Sequence, residues 1–187
     1  MGSKRTGGMR YTEGMTKQAG QTMRIDLASR DLPRASAPRT MRRRAASAGP
    51  TTFSARRRDR MDRNTPYDLL LESVYDGVLI TDRGGRIIDF NGRAAEFFQA
   101  GGEQMLGMPV WDLLSGADNT LVETIQANLQ SHKYALIEAL CLRADGTSFP
   151  TEIAVNRIDL DEEGRQLCFF VRDTTVRKRA QAALEDA

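Results

Sequence analysis

Two short turns, each between a pair of strand-like runs, constrain the fold of this chain more than any other feature. In "GVLITDRGGRIIDFN" (77–91) and "ALCLRADGTSFPTEIAV" (139–155), a Gly-bearing turn separates two runs rich in β-branched, aromatic and aliphatic residues. Such turns are typical of β-hairpins, whose two strands are antiparallel. The sequence therefore predicts two hairpins, with residues 92–133 between them.

The segment between the hairpins is predicted to be helical. Asn91 ends the second strand and is a favoured N-cap, because its side-chain oxygen can accept a hydrogen bond from the backbone N–H of Arg93 or Ala94. Further helical stretches follow over 103–114 and 120–130. A fifth strand (165–173) and a closing helix complete an α+β layout, in which a five-stranded antiparallel sheet has short helices inserted between strands two and three.

One more helix is predicted ahead of the first strand, over 65–74, with Thr65 as its N-cap and Pro66 at its first position. Leu69, Leu70 and Val74 form its predicted apolar side. The fifth strand carries apolar residues on both faces, so we expect this helix, from this chain or from a second copy, to cover its outer face.

Charge divides the chain into two parts. Residues 1–63 carry 16 Lys and Arg against 5 Asp and Glu, whereas residues 64–187 carry 11 against 20. The basic part shows no helical or strand period, and such segments stay disordered because they bury too little apolar surface. The predicted organisation is a disordered basic tail (1–63), a globular domain (64–173) and a C-terminal helix stub (174–187).

Other interpretations of the tail stay open. The Arg clusters of 39–60 can contact nucleic-acid phosphates, the Arg- and Ser-rich composition is compatible with a transit segment, and Met61 is an alternative start of translation. No run nears the ~18 apolar residues of a membrane span, and no secretory segment begins the chain. A cytoplasmic protein without membrane contact is therefore expected.

Three motifs stand in order along the globular part. The first comprises Asp76-Gly77-Val78, Asp82, Gly85, Ile87, Asn91, Ala94-Ala95 and Leu106-Gly107. The second is Asp145–Pro150 at the entry to a strand, and the third is the exit segment Arg172–Leu184. Together they resemble the PAS domain family with its C-terminal PAC-type motif, over about residues 65–187.

This resemblance implies that the short helices arch over one sheet face and leave a small pocket beneath them. The expected lining is large and apolar, and comprises Phe97, Met105, Trp111, Leu121, Ile125 and Phe149. The residues of the structural motifs are Asp82, Asn91, Gly107, Asp145, Gly146 and Asp173. Family members sense small ligands in such a pocket or serve as dimerisation and partner modules.

No cofactor is predicted. Flavin photosensors of the family carry a reactive Cys near 107–114, but Cys141 and Cys168 lie on predicted strands that the family's strand order separates by a third, too far apart for a disulfide. Haem sensors use a His of the long helix, whereas His132 follows that helix, so haem is disfavoured. FAD or another small ligand stays an alternative because Trp111 lies near the expected pocket. One His and two separated Cys give no metal site.

The sequence predicts no enzyme, because His132 is the only histidine and no catalytic set surrounds it. The expected function is a stand-alone PAS sensory or interaction module in signal transduction, such as two-component signalling or regulation of transcription. Large apolar residues at the pocket favour a filled core and a homodimer that acts on a separate effector protein. Alternatives are a fragment or regulatory partner of a sensor histidine kinase or diguanylate cyclase, and a PAS protein whose basic tail contacts nucleic acid.

Overall fold

A computed structural model describes residues 22–27, 65–160 and 165–186 of this 187-residue chain. The Arg clusters and Met61 lie outside the described residues. One mixed sheet forms the centre, with strand order β1-β4-β5-β6-β2-β3. Its strands are β1 (Thr22–Asp26), β2 (Gly77–Thr81), β3 (Ile87–Phe90), β4 (Tyr134–Leu142), β5 (Ser148–Ile158) and β6 (Gln166–Asp173).

The helices lie where the sequence places them, ahead of the first hairpin, between the two hairpins and after the last strand. They are α1 (Pro66–Ser73), α2 (Gly92–Phe98), α3 (Gly102–Met105), a 3-10 turn η1 (Val110–Leu113), α4 (Thr120–Asn128) and α5 (Thr175–Glu185). The two hairpins, β2–β3 and β4–β5, are antiparallel, and β6 pairs with both β5 and β2. The α+β fold with its PAS-like antiparallel strands is therefore confirmed.

The sixth strand, β1, corrects the prediction that all of residues 1–63 form a disordered tail. It pairs in parallel with β4, with Ile25 opposite Ile137. Ile25 and Leu27 are buried, whereas Arg24 and Asp26 are exposed. The sequence signal for this strand is a short alternation of apolar and polar residues. It is easy to miss because the strand has only five residues and is surrounded by polar sequence.

The inner face of the sheet and the helices between the hairpins enclose the main core. Alternate residues of β4 and β5 are buried, and Ile137, Ala139 and Cys141 of β4 belong to this core. This period of two is what a sheet buried on one face requires. The other side of the sheet is therefore an outer face, which needs its own cover where it is apolar.

Helix α1 covers part of this outer face, as expected, but only Val74 of its three predicted contact residues packs there. Tyr67, Leu71 and Val74 pack against a small cluster formed by Val78, Ile80 and Cys168. Leu69 and Leu70 are instead 58% and 69% exposed, so their assignment to the packed side was wrong. Residues 67, 71 and 74 follow a helical spacing of four and three, whereas 69 lies on the opposite side of the helix and 70 at the edge of the packed side.

Candidate functional site

The interior beneath the short helices is a packed hydrophobic core. Met105, Leu121, Ile125 and Phe149 belong to one cluster, and each of these side chains is at most 2% exposed. The structure thus brings together four of the six residues assigned to the pocket. A ligand site needs open volume bounded by apolar groups with a few polar ones, and here large side chains occupy this part of the interior.

Phe97 and Trp111, the other two residues of that set, lie at the margin of the core. Both are partly buried and pack against it. Phe97 contacts Phe149 with ring centroids 6.2 Å apart, and Trp111 lies over the β2–β3 turn, where its ring would touch any Cβ added to Gly85. Trp111 therefore acts as packing for the hairpin.

Phe98 is the interior residue that the sequence analysis left out. It is 1% exposed, and its ring meets Phe149 edge-on at a centroid distance of 5.8 Å. The signal was available, because Ala94 and Phe98 are four residues apart and form the buried side of α2. The pattern alone did not fix the rotation of this short helix, so Phe97 was assigned to the pocket instead.

Asn91 joins four pieces of backbone at the point where β3 becomes α2. Its side-chain oxygen accepts hydrogen bonds from the N–H groups of Val78 and Ala94, each at 2.9 Å. Its amide nitrogen donates to the carbonyls of Leu71 and Asp76 at 3.1 and 3.0 Å. The bond to Ala94 confirms the predicted N-cap. The side chain is fully buried, and these partners satisfy its polar atoms.

In each of the two hairpin turns, an Asp residue of the structural motifs accepts hydrogen bonds through its side chain. Asp82 accepts a hydrogen bond from the Arg86 N–H at 2.9 Å, and Asp145 accepts from both the N–H and the hydroxyl of Thr147. The Thr147 bonds hold the pKa of Asp145 below its ordinary value. Gly146 has a φ of +84°, which glycine adopts without steric strain.

Gly107 and Asp173 each fix a junction. The Gly107 N–H donates to the Ile87 carbonyl at 2.7 Å, so the helical segment returns to β3. Asp173 accepts from the Thr175 N–H at 2.7 Å where β6 passes into α5, and its second oxygen lies 3.7 Å from Arg143. These contacts make both residues structural.

The potential cofactor residues do not converge. His132 lies in a surface depression at the end of α4, where its Nδ1 is 3.1 Å from the Asn128 carbonyl. Cys141 and Cys168 are free and buried, and lie on β4 and β6 with β5 between them, as expected. Burial raises the pKa of Cys141 to about 12 and that of Cys168 to about 11. Within the described ranges, no group of three or more His, Cys, Asp or Glu is placed to hold a metal ion.

The outer face of β4 carries leucines on the part of the sheet that lies two strands away from the α1 cluster. Leu136, Leu140 and Leu142 are half-buried and alternate with fully buried residues. On the neighbouring strand, Ala154 is also half-buried and stands opposite Leu136. These residues and Glu138, which lies between Leu136 and Leu140, form a candidate contact surface on the outer face of β4 and β5.

Helix α5 leaves the sheet beside this surface. None of its described side chains is buried, and Val176 and Leu184 are 81% and 80% exposed. One ion pair links it to the sheet, between Arg177 and Glu152 of β5 at 3.5 Å. In the described part of the chain, no helix has both the length and the apolar character that a membrane crossing needs.

Comparison with known proteins agrees with this architecture. A 125-residue stretch is 30% identical to a protein of Azorhizobium caulinodans, covering 62% of this chain but 16% of that protein. The chain thus spans about a sixth of the length of this relative.

Two solved structures have the same fold. They are the PAS domain of an HTR-like protein from Haloarcula marismortui (24% identity, TM-score 0.51, covering 56% of this chain and 90% of that one) and the PAS domain of a Colwellia psychrerythraea protein (22%, 0.52, 59% and 95%). The family model described as the PAS fold matches residues 65–174. Because this match spans more than half of the chain, the chain belongs to the PAS fold family.

Proposed function

We propose that this PAS domain is a signalling interaction module with a filled core, which works by pairing two copies of the chain through the outer sheet face. The observation that carries the proposal is the contrast between the two sides of the sheet. The inner side is packed with large side chains, whereas the outer side of β4 and β5 keeps half-buried apolar residues.

The filled interior favours an interaction role over ligand sensing. Phe98, Met105 and Phe149 are each at most 2% exposed. Binding of a ring system such as a flavin there would require several of these side chains to leave their packed positions. Interiors are packed as densely as organic crystals, so such a displacement opposes binding. A visible absorption spectrum of the purified protein without a flavin or haem band is the expected result.

A second copy is the partner that fits the outer face. Leu136, Leu140 and Leu142 share this face of β4 with Glu138, which lies between Leu136 and Leu140 and stands opposite Glu152 of β5. Arg177 pairs with Glu152, so a second copy offers both apolar contacts and charges of both signs. A specific interface combines apolar contacts with polar ones. The outer face carries both kinds of residue and also adjoins α5.

Pairing at this face gives a route for output. Arg177 connects α5 to Glu152, which lies on the outer side of β5. A change in how two copies pack there would reach α5 through this contact, and a separate effector protein would then respond to the position of α5. The exposed Val176 and the basic Arg177, Lys178 and Arg179 give such an effector an apolar and a cationic contact.

Light scattering after size-exclusion chromatography of the full chain tests the pairing. We expect a dimer for the unmodified chain and a monomer for Leu140→Glu, because the new carboxylate would replace an apolar contact and add to the negative charge of Glu138 and Glu152 on the same face. Leu106→Glu is the matched control, since Leu106 is 51% exposed and lies among the helices on the other side of the sheet. A monomeric unmodified chain at tens of micromolar contradicts the proposal, as does a dimer that Leu140→Glu leaves intact.

A further inference from the structure

β1 occupies the edge of β4, although it lies far from the rest of the domain in the sequence. β1 pairs with β4 over five positions, from Thr22 opposite Tyr134 to Asp26 opposite Glu138. The Leu27 N–H continues the ladder and donates to the Glu138 carbonyl at 2.8 Å. Residues 28–64 then separate this strand from α1.

The contacts of β1 make it part of the domain rather than a passing segment. Ile25 and Leu27 are 5% and 6% exposed, and both belong to the main hydrophobic cluster with Ile137 and Leu129. Arg24 and Asp26, at the alternate positions, face outward. This alternation matches the pleat of a half-buried strand, so the edge recognises a strand with apolar residues at every second position.

We propose that β1, by occupying the β4 edge of its own chain, closes this edge against association with other strands. Without β1, β4 would present a row of free N–H and C=O groups together with the apolar margin of the core. Such edges pair readily with other chains. The known ways of adding a strand to an exposed edge use these same backbone groups and alternate side-chain contacts.

The tether explains why the occupant comes from the same chain. Residues 28–64 can span on the order of 100 Å when extended, so chain length allows docking in either the same or a second copy. A tethered segment has an effective concentration of about a millimolar for its own site. At micromolar protein concentrations, docking within one chain therefore prevails over exchange.

A cysteine pair in the full chain tests both the docking and its register. In Asp26→Cys/Glu138→Cys the two new thiols stand opposite each other on adjacent strands, which brings their Cα atoms within the ~7 Å that a disulfide needs. Mild oxidation should give a cross-link within one chain, seen as faster migration without reducing agent and a monomer mass. The buried Cys141 and Cys168 should stay unmodified.

The matched control is Asp26→Cys/Glu152→Cys. Glu152 is the β5 partner of Glu138, so it lies one strand further from β1, about 9–10 Å away, and should not cross-link. A cross-linked dimer for the first pair would overturn the proposal in favour of exchange between copies. Equal cross-linking of both pairs, or none in either, would overturn the docking itself.

Hydrogen exchange gives a second readout that does not depend on cysteines. Ile25→Glu in the full chain should release β1, because a buried carboxylate would replace an apolar contact, and should raise exchange at the Leu27 amide at least tenfold. Arg24→Glu, whose side chain is exposed on the same strand, should leave that amide protected. A synthetic peptide of residues 20–29 should then bind the Ile25→Glu chain and not the unmodified one. Unchanged protection in Ile25→Glu, or equal peptide binding by both chains, would contradict the proposal.

Discussion

The side chain of Asn91 accepts a hydrogen bond from the backbone N–H of Val78 at 2.9 Å, so the end of β3 is fixed to the start of β2. The same oxygen caps α2 through Ala94. One buried amide thus sets both the pairing of the first hairpin and the direction in which the chain leaves the sheet. Its removal is the first prediction.

Asn91→Ala should lower the free energy of unfolding by at least ~3 kcal/mol, because it leaves buried backbone groups without partners and removes a helix cap. Asn119→Ala is the matched control, since Asn119 occupies the N-cap position of α4 without a side-chain hydrogen bond and is exposed. Its effect should stay within about 0.5 kcal/mol. Urea unfolding of both variants measures the difference, and similar losses would show that the four bonds contribute little.

Alanine substitutions at two glycines should distinguish the cost of backbone strain from the cost of side-chain crowding. Gly85 and Gly107 have φ of +80° and +78°, but a Cβ at Gly85 would lie 2.6 Å from Val122 and 2.9 Å from Trp111, whereas one at Gly107 would meet nothing within 4 Å. Gly107→Ala should cost about 1–2 kcal/mol from the left-handed conformation. Gly85→Ala should cost a further ~1–3 kcal/mol from overpacking. Thermal unfolding of the two variants checks this order, and equal effects would contradict the packing of Trp111 on the turn.

The position of α1 is tested by two leucines on the same helix. Leu71 packs against the cluster that contains Val78 and Ile80, whereas Leu69 is 58% exposed. Leu71→Ala should destabilise the domain by about 2 kcal/mol, at the low end for a leucine that is not fully buried. Leu69→Ala should change stability by less than about 0.5 kcal/mol. If Leu69→Ala lowered the free energy of unfolding more than Leu71→Ala in chemical denaturation, the packed side of α1 would be the one that the sequence had indicated.

The buried thiols predict a loss of stability at alkaline pH. The pKa of Cys141 rises from 9.0 to about 12 on folding, because burial disfavours the thiolate. The unfolded chain therefore loses this proton first, so the contribution is fully present below pH 9 and is lost between about pH 9 and 12. Through this group alone, the free energy of unfolding falls by at most about 1.4 kcal/mol per pH unit over this range.

Cys141→Ala provides the comparison, since it keeps every other titrating group. The stability difference between the unmodified chain and this variant should shrink as pH rises from 8 to 11, as measured by urea unfolding. A difference that stays constant over this range would contradict the burial of the thiol. At pH 8, native protein should also react with a thiol reagent much more slowly than unfolded protein.

Removal of α5 should leave the domain folded and paired. None of the described residues of α5 is buried, and its Arg177–Glu152 contact is a surface ion pair worth less than about 1 kcal/mol. A chain that ends at Thr174 should therefore keep its unfolding midpoint within a few degrees, and light scattering should still give the dimer. Complete dissociation on truncation would mean that the helix itself holds two copies together.

The sequence by itself determined the features that depend on neighbouring residues. Asp82, Asp145 and Gly146 mark the two hairpin turns, and Asn91 marks the start of α2, because a turn or a cap is set by the φ angles and hydrogen bonds of a few adjacent residues. From these followed the order of the elements and the resemblance to the PAS family. Most of the residues assigned to the pocket also proved to be interior.

Only the tertiary structure decided which partners those elements meet. β1 was missed because a five-residue alternation gains its stability from the β4 edge, far away in the sequence. The packed side of α1 and the burial of Phe98 in place of Phe97 likewise depend on how each helix packs on the sheet. Helix periodicity defines several possible faces, and the contacts with the sheet determine which of them is buried. The packing of Ile25, Leu71 and Phe98 depends on contacts between distant segments, and local patterns leave such contacts undetermined.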